Sequence, residues 1–473
     1  MRLAYDVEAV RAAEAALAAG LPAGTLMDRA AAGIAAACAR LLGSTYGTRV
    51  VLLVGSGDNG GDALHAGARL GRRGARVDAL CLGSRTHQEG AAALLAAGGR
   101  LHGGTERADL LDDADLVVDG IVGIGGSGGL RPDAARVVAR AEASAALLVA
   151  VDVPSGVDAS TGEATGEVVH ADVTLTPGTL KPGLLVDPGS SCAGLVEVVD
   201  IGLGPHLAAL GAPDVEALEA DDVAALLPAP GPESDKYQRG VVGVVAGSDE
   251  YPGAAVLCAG AAVRSGAGMV RYVGPDHATY RVLARWPEAV AGEGRVQARV
   301  IGPGIPELDA VLDQVARPEP VVLDATAATA YARAGGPALL TPHAGELVRV
   351  LAAAGVEATR EQVEARRLHW AREAARATGC VVLLKGSTTV VAAPDGRVRV
   401  NPTGTPWLAT AGSGDVLAGV AGALLAGGLP PFDAGSVAAW LHGLAGRLAA
   451  DGASTSASAV LDALPAALRA VLR

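Results

Sequence analysis

The sequence predicts an α/β fold in two three-layer αβα domains, residues 1–214 and 215–473, each a parallel sheet between layers of helices. Three observations predict it. The 473 residues exceed one ordinary domain of about 100–200 residues. In both halves, short β-branched runs alternate with Ala-rich helical segments, and continuously apolar strands are those buried on both faces of a parallel sheet. Between the halves, Pro205, Pro213, Pro228, Pro230 and Pro232 dot a stretch from 204 to 234 that reads as the linker region.

Strands are expected over 49–54, 76–82, 115–118, 147–151 and 195–199, and then over 241–246, 269–273, 320–323, 381–384 and 388–392. Right-handed crossovers would gather the loops after these strands on one sheet edge, where α/β sites form. Half the residues are hydrophobic but only 3% are aromatic, with Phe432 the single phenylalanine. Core volume therefore falls to Ala, Val and Leu.

A formal charge of −13 argues against nucleic acid as a partner. Five dispersed cysteines without a C-x-x-C pair exclude a disulfide framework and a zinc site, and favour a reducing compartment. Asp6, Glu8, Arg11 and Glu14 leave no room for a signal peptide, and no run reaches the ~18 apolar residues of a spanning helix. A soluble cytoplasmic protein with no membrane partner is expected. Lysine survives only at 181, 236 and 385 among 38 basic residues, and asparagine only at 59 and 401. Such a bias replaces dispensable Lys and Asn, so these five residues are candidates for function.

In the first half, Gly55-Ser56-Gly57-Asp58-Asn59-Gly60-Gly61-Asp62 follows a strand and precedes a helix expected over 63–70. Bare amides and a helix N-terminus suit a phosphate; the plainer reading is a tight turn with Asp62 as N-cap. Asp119 ends the next strand, before Gly123-Ile124-Gly125-Gly126-Ser127-Gly128-Gly129. There a carboxylate could hold a cation while amides hold phosphate. A third strand end is Asp152-Val153-Pro154-Ser155-Gly156-Val157-Asp158, where simple caps or turns are again the plainer reading.

These motifs, with Thr179-Leu180-Lys181-Pro182-Gly183, resemble the NAD(P)H-hydrate epimerase family over residues 1–203. The resemblance implies a Rossmann-like domain that interconverts the R and S epimers of hydrated NAD(P)H. It implies substrate contacts from Asp58, Asn59, Gly60, Gly61 and Asp62, from Gly123 through Gly129, and from Asp152. It places a potassium ion at Asn59, Asp119 and Ser155, and makes Asp119 and Lys181 the catalytic candidates. Asp58 stands where the family usually has a second Asn, and Ala63 where it has Gly.

In the second half, Gly412-Ser413-Gly414-Asp415-Val416-Leu417 opens a helix expected over 416–426 and builds an anion cradle, with Asp415 placed to take a hydroxyl proton. Thr341-Pro342-His343-Ala344-Gly345-Glu346 opens another helix, with Pro342 near its first position. Lys385-Gly386-Ser387-Thr388-Thr389 joins two apolar strands and suits nucleotide phosphate or ribose. With Tyr251-Pro252-Gly253-Ala254-Ala255 and Arg264-Ser265-Gly266-Ala267-Gly268, this order resembles the ADP-dependent NAD(P)H-hydrate dehydratases, of the ribokinase-like superfamily, over 221–473.

The resemblance implies hydrate contacts from Ala254, Gly304, His343 and Asp415. It implies ADP contacts from Lys385, Gly386, Ser387, Thr388, Thr389 and Gly414, with Asp415 as base and magnesium accompanying ADP. Two departures lie on the substrate side: Asp324-Ala325-Thr326-Ala327-Ala328 lacks the family's second carboxylate, and Gly302-Pro303-Gly304-Ile305-Pro306 lacks its third glycine. The expected protein is a bifunctional repair enzyme, homo-oligomeric, acting on NAD(P)H hydrates with ADP. The alternative is a non-catalytic front module fused to a ribokinase-like small-molecule kinase.

Overall fold

Strands that are apolar on both faces need cover on both, and the protein supplies it twice. A computed structural model describes residues 1–126 and 128–472. The chain divides into two units, Leu3–Asp214 and Met1–Arg2 with Val215–Arg473.

In Leu3–Asp214 the strands are ordered Arg100–Gly103, Arg76–Cys81, Arg49–Val54, Leu116–Gly120, Leu147–Val151, Val173–Pro177 and Leu195–Val199, all parallel. Side chains alternate between two cores. Val50, Leu52 and Val54 pack with Ile34 and Leu64 on one face, while Val51 and Leu53 pack with Val137 and Leu148 on the other. The three layers follow from that alternation.

In the other unit the sheet runs Val215–Ala217, Val398–Asn401, Thr389–Ala392, Val381–Leu384, Ala338–Leu340, Val321–Leu323, Ala298–Ile301, Val241–Val245, Met269–Val273 and Val290–Ala291. Pairing is antiparallel only around Thr389–Ala392 and parallel elsewhere. Its main core joins the buried helices Ser413–Ala426 and Pro431–Ala450 to the sheet. Among the described residues, no helix is long and apolar enough to cross a membrane.

Some local expectations change. Strand Val173–Pro177 escapes a hydrophobicity reading because Thr174 and Thr176 are buried; Thr174 Oγ1 meets its need by donating to Ala193 O at 2.7 Å. The stretch read as linker forms helix Gly204–Leu210, strand Val215–Ala217 and helix Ala220–Leu226. Its prolines sit at helix starts or outside elements, so they punctuate structure rather than abolish it. All five cysteines are free thiols.

Helix Ser413–Ala426 lies on its neighbours almost backbone to backbone. A Cβ at Gly419 would stand 2.2 Å from the Cys258 carbonyl oxygen. Gly419→Ala should therefore destabilise this unit by about 1–3 kcal/mol. Trp286, Trp370, Trp407 and Trp440 all belong to it, so tryptophan fluorescence in urea reads this unit alone. An unchanged midpoint would contradict the close packing.

Candidate active sites

In Leu3–Asp214 the strand order reverses between Arg49–Val54 and Leu116–Gly120, and the chains leaving these two strands diverge. Gly55 makes the crevice possible, because a Cβ there would lie 1.8 Å from the Ile121 carbonyl oxygen. The segment after it is not the loop that its glycines suggest. Helix Asp58–Arg72 starts after Gly57, so Asp58, Asn59, Gly60, Gly61 and Asp62 are helical and Asp62 is no N-cap. Gly60 and Gly61 let the helix settle: their Cβ atoms would meet the Gly55 carbonyl at 2.5 Å and the His87 ring at 3.1 Å.

The resulting cleft, about 940 Å³, is lined by Asp58, Asn59, Asp62, Gly123, Ile124, Gly125, Gly126, Gly128, Gly129 and Asp152. Arg11 and Glu14, unflagged by any motif, also line it. Gly60 and Gly61 pack behind the lining, and Ser127 lies outside the described residues.

Asp119 lies beneath the cleft, wholly buried. It accepts from Ile121 N at 3.1 Å, Ser155 N at 2.9 Å and Ser155 Oγ at 2.7 Å. Burial pushes its carboxyl up to about 6, against the pull of those hydrogen bonds. Asp152 adopts φ 73°, left-handed backbone uncommon for a non-glycine residue. Its Oδ2 accepts from Ile124 N at 2.8 Å, and its Oδ1 from Lys181 Nζ at 2.6 Å.

Lys181 is 1% exposed and also donates to Thr176 Oγ1 at 2.8 Å and Pro177 O at 3.0 Å. Its ammonium is thus committed to holding Asp152. Burial, then the charges of Asp152, Asp58 and Glu14, raise Asp62 well above the carboxylate range. Asn59 is 9% exposed, and both its side-chain polar atoms are buried without a partner among the described residues. That orphaned amide, the Ser155 hydroxyl and Asp119 form an oxygen donor set that fits a hard, weakly charged cation.

In the second unit the reversal falls between Val241–Val245 and Ala298–Ile301. Gly247 N donates to Pro303 O at 2.7 Å across it. A Cβ at Gly304 would lie 2.6 Å from that of Ala254, so these two expected hydrate residues are neighbours. Further along the same strand ends, Lys385 Nζ reaches Asp324 Oδ1 at 3.0 Å and Glu346 Oε2 at 3.3 Å. Burial works against its charge, but Asp324 and Glu346 outweigh it and hold the ammonium above its ordinary range.

Asp415 sits in the first turn of Ser413–Ala426, whose cap Gly412 takes φ 85°. Burial first, then Asp324, push its carboxyl up to about 7 while Lys385 opposes them. His343, not Pro342, begins the helix Ala344–Ala353: as N-cap, its Nδ1 accepts from Gly345 N at 3.0 Å. The imidazole ring supplies the oxygen-like acceptor usual at that position.

A cavity of about 770 Å³ gathers His343, Lys385, Gly386, Ser387, Thr389 and Gly414. Thr388 is buried behind it, while Ala254, Gly304 and Asp415 lie off its lining. Its wall also holds Asn401, Arg367 and His442. Asn401 Nδ2 donates to Ala439 O at 2.9 Å, which ties the loop after its strand to helix Pro431–Ala450. His442, lowered to about 4 by burial, is neutral and meets Ser413 Oγ at 3.2 Å. Asn401 was legible as a rare residue; His442 and Arg367 carried no sequence signal.

Residues 23–183 match a family model described as YjeF-related protein N-terminus, and residues 242–466 match one described as NAD(P)H-hydrate dehydratase. The bifunctional NAD(P)H-hydrate repair enzyme Nnr of Mycobacterium tuberculosis is 50% identical over 458 residues, covering 92% of this chain and 91% of that protein. The Mycobacterium leprae protein of the same name is 46% identical and covers 100% of each. A crystal structure of the ADP/ATP-dependent NAD(P)H-hydrate dehydratase from Bacillus subtilis, co-crystallised with ATP and Mg²⁺, is 33% identical with a TM-score of 0.51. It covers 54% of this chain and 99% of that one. The chain belongs to the family of bifunctional NAD(P)H-hydrate repair enzymes.

Proposed function

We propose that this chain repairs hydrated NAD(P)H in two steps: Leu3–Asp214 epimerises the R and S hydrates, and the unit from Val215 dehydrates the S hydrate at the expense of ADP. One observation carries the reading. Each unit sets an acid raised close to neutrality at its candidate site: Asp119, buried in the strand beside its sheet's reversal, at about 6, and Asp415, half-buried in the first turn of Ser413–Ala426, at about 7. Groups that exchange protons at physiological pH are what both steps require. A non-catalytic front module before a small-molecule kinase is not favoured, because relatives bearing the bifunctional name span both segments.

In the dehydratase unit, Asp415 takes the proton of the hydrate hydroxyl. That oxygen attacks the β-phosphorus of ADP, the bond to the α-phosphate oxygen breaks, and AMP leaves. The new phosphate ester then loses phosphate from its ring carbon and a proton from the neighbouring ring carbon, the C–H electron pair becoming the returning ring double bond. Phosphorylation turns hydroxide, a poor leaving group, into a good one. Amides at the start of Ser413–Ala426 stabilise the transferred charge. Lys385, Gly386, Ser387, Thr388, Thr389 and Gly414 hold ADP, and Ala254, Gly304 and His343 hold the hydrate. Among the described residues no cluster of three or more His, Cys, Asp or Glu offers a metal cage. Magnesium would accompany ADP, carried on the nucleotide phosphates.

In the epimerase unit, Asp119 moves the proton and Lys181 positions Asp152 against the substrate. Asn59, Asp119 and Ser155 hold potassium, whose charge would favour the ionised form of nearby carboxyls when bound. The five free thiols support a cytoplasmic setting.

Mixed hydrate epimers incubated with ADP should recover their full reduced-nicotinamide absorbance. Recovery of a single epimer would remove the epimerase step, and none would remove the dehydratase. Asp415→Asn should slow dehydration more than tenfold, about 1.4 kcal/mol or more in barrier, with epimerisation unchanged. Because Asp415 acts deprotonated, kcat/KM for dehydration should fall below pH about 7, approaching tenfold per unit. A profile flat down to pH 5.5 would reject it as base. Asp119→Ala should abolish epimerisation while the S hydrate is still dehydrated; normal epimerisation would return the first unit to a binding role.

A further inference from the structure

We propose that Arg367 is a positioning residue for the nucleotide, fixing the turn that receives ADP. The inference rests on the reading of this cavity as the ADP site. Arg367 opens helix Arg367–Thr378 and is 7% exposed, yet it lines the same cavity as Lys385, Gly386 and Ser387. Its Nη2 donates to Lys385 O at 2.9 Å, Leu384 O at 3.3 Å and Thr388 O at 3.4 Å. Those carbonyls span the whole connection between strands Val381–Leu384 and Thr389–Ala392.

The chemistry explains why a guanidinium belongs there. Carbonyl oxygens are the backbone groups that repel a phosphate. One planar cation that collects them behind the turn removes that repulsion and adds positive charge to the cavity wall. All three contacts are made by Nη2, and the rigid planar group fixes that one nitrogen among the carbonyls, whereas the flexible four-carbon stem of lysine would carry a strongly hydrated head with no such fixed position.

Gly386 is the counterpart. A Cβ there would lie 2.2 Å from Arg367 Nη2, so the glycine gives the guanidinium its seat. The turn is tied on its other sides as well. Lys385 N donates to Pro342 O at 2.8 Å, and Lys385 Nζ reaches Asp324 and Glu346. Fixed by the arginine, the turn presents Lys385 to the carboxylates and its remaining surface to the nucleotide.

The test uses the full chain, whose epimerase activity serves as an internal control for a properly made sample. Arg367→Lys and Arg367→Gln should each raise KM for ADP at least tenfold, with KM for the hydrate within about twofold and epimerisation unchanged. Millimolar guanidinium chloride should restore part of the ADP affinity of Arg367→Ala. Gly386→Ala should raise KM for ADP too, and its effect should shrink in the Arg367→Gln background, where the methyl group has room. The role is overturned if Arg367→Lys keeps the parental KM for ADP, since charge alone would then suffice. It is also overturned if both KM values rise together, or if the two substitutions add independently. Calorimetric binding of ADP separates the two levels of the argument. A parent chain that binds ADP without dehydrating the hydrate would overturn the proposed reaction, and the ADP affinities of the variants would still decide the part played by Arg367.

Discussion

A buried ammonium ion held by carboxylate at the end of a parallel sheet is the constraint on which each unit turns. Lys181 grips Asp152 in one unit, and Lys385 grips Asp324 and Glu346 in the other. Lys181 is the more deeply buried, and removing Asp152 would leave its charge uncompensated at a cost of about 3–5 kcal/mol, whereas Lys385 faces the cavity and loses less. Each pair therefore dictates where its loops lie, and through them where the cleft opens. The compact head of lysine suits these seats, with Lys181 met by a carboxylate, a hydroxyl and a carbonyl at hydrogen-bonding distance. In a chain that has otherwise turned its lysines to arginine, two of the three that remain are these anchors.

The anchors also divide labour among the acids. Asp152 and Asp324 are paired with an ammonium and hold geometry. Among the described residues Asp119 and Asp415 form no ion pair with an ammonium, and burial moves them toward neutrality. One kind of carboxylate builds the site, and the other is the kind to which the proposed function assigns proton exchange. Having both chemistries in one chain is sensible because a dehydratase selective for one epimer strands the other unless something interconverts them.

Much of this was legible in the sequence. The strand ends carrying Asp119 and Asp152 and the helix start carrying Asp415 could be read because glycine beside an acid is unusual outside turns and caps. The turn from Lys385 to Thr389 was singled out by its rare lysine, and four of its residues line the second cavity. The helical start at Asp58 was not, because glycine propensity argues against a helix, and only the close approach to Gly55 repays it. Strand Val173–Pro177 was hidden by threonines whose hydroxyls find partners only in three dimensions. Arg367 and His442 were hidden by distance along the chain, since their partners lie in other segments. Arginine in an arginine-rich sequence draws no attention until its burial is known.

The glycines of helix Ser413–Ala426 have a consequence for how the second site works. With Gly419 against the Cys258 carbonyl and a Gly422 Cβ that would lie 2.0 Å from Val300 Cγ2, the helix sits directly against a neighbouring backbone and the sheet's side chains, with no room for side chains of its own at these two positions. Its N-terminal amides cannot drift independently of the strands beneath them. The phosphate-binding end is thus already ordered before any ligand arrives, and a nucleotide that docks there has little disorder left to remove. The small-residue composition that first seemed only a matter of core volume makes the receptor stiff.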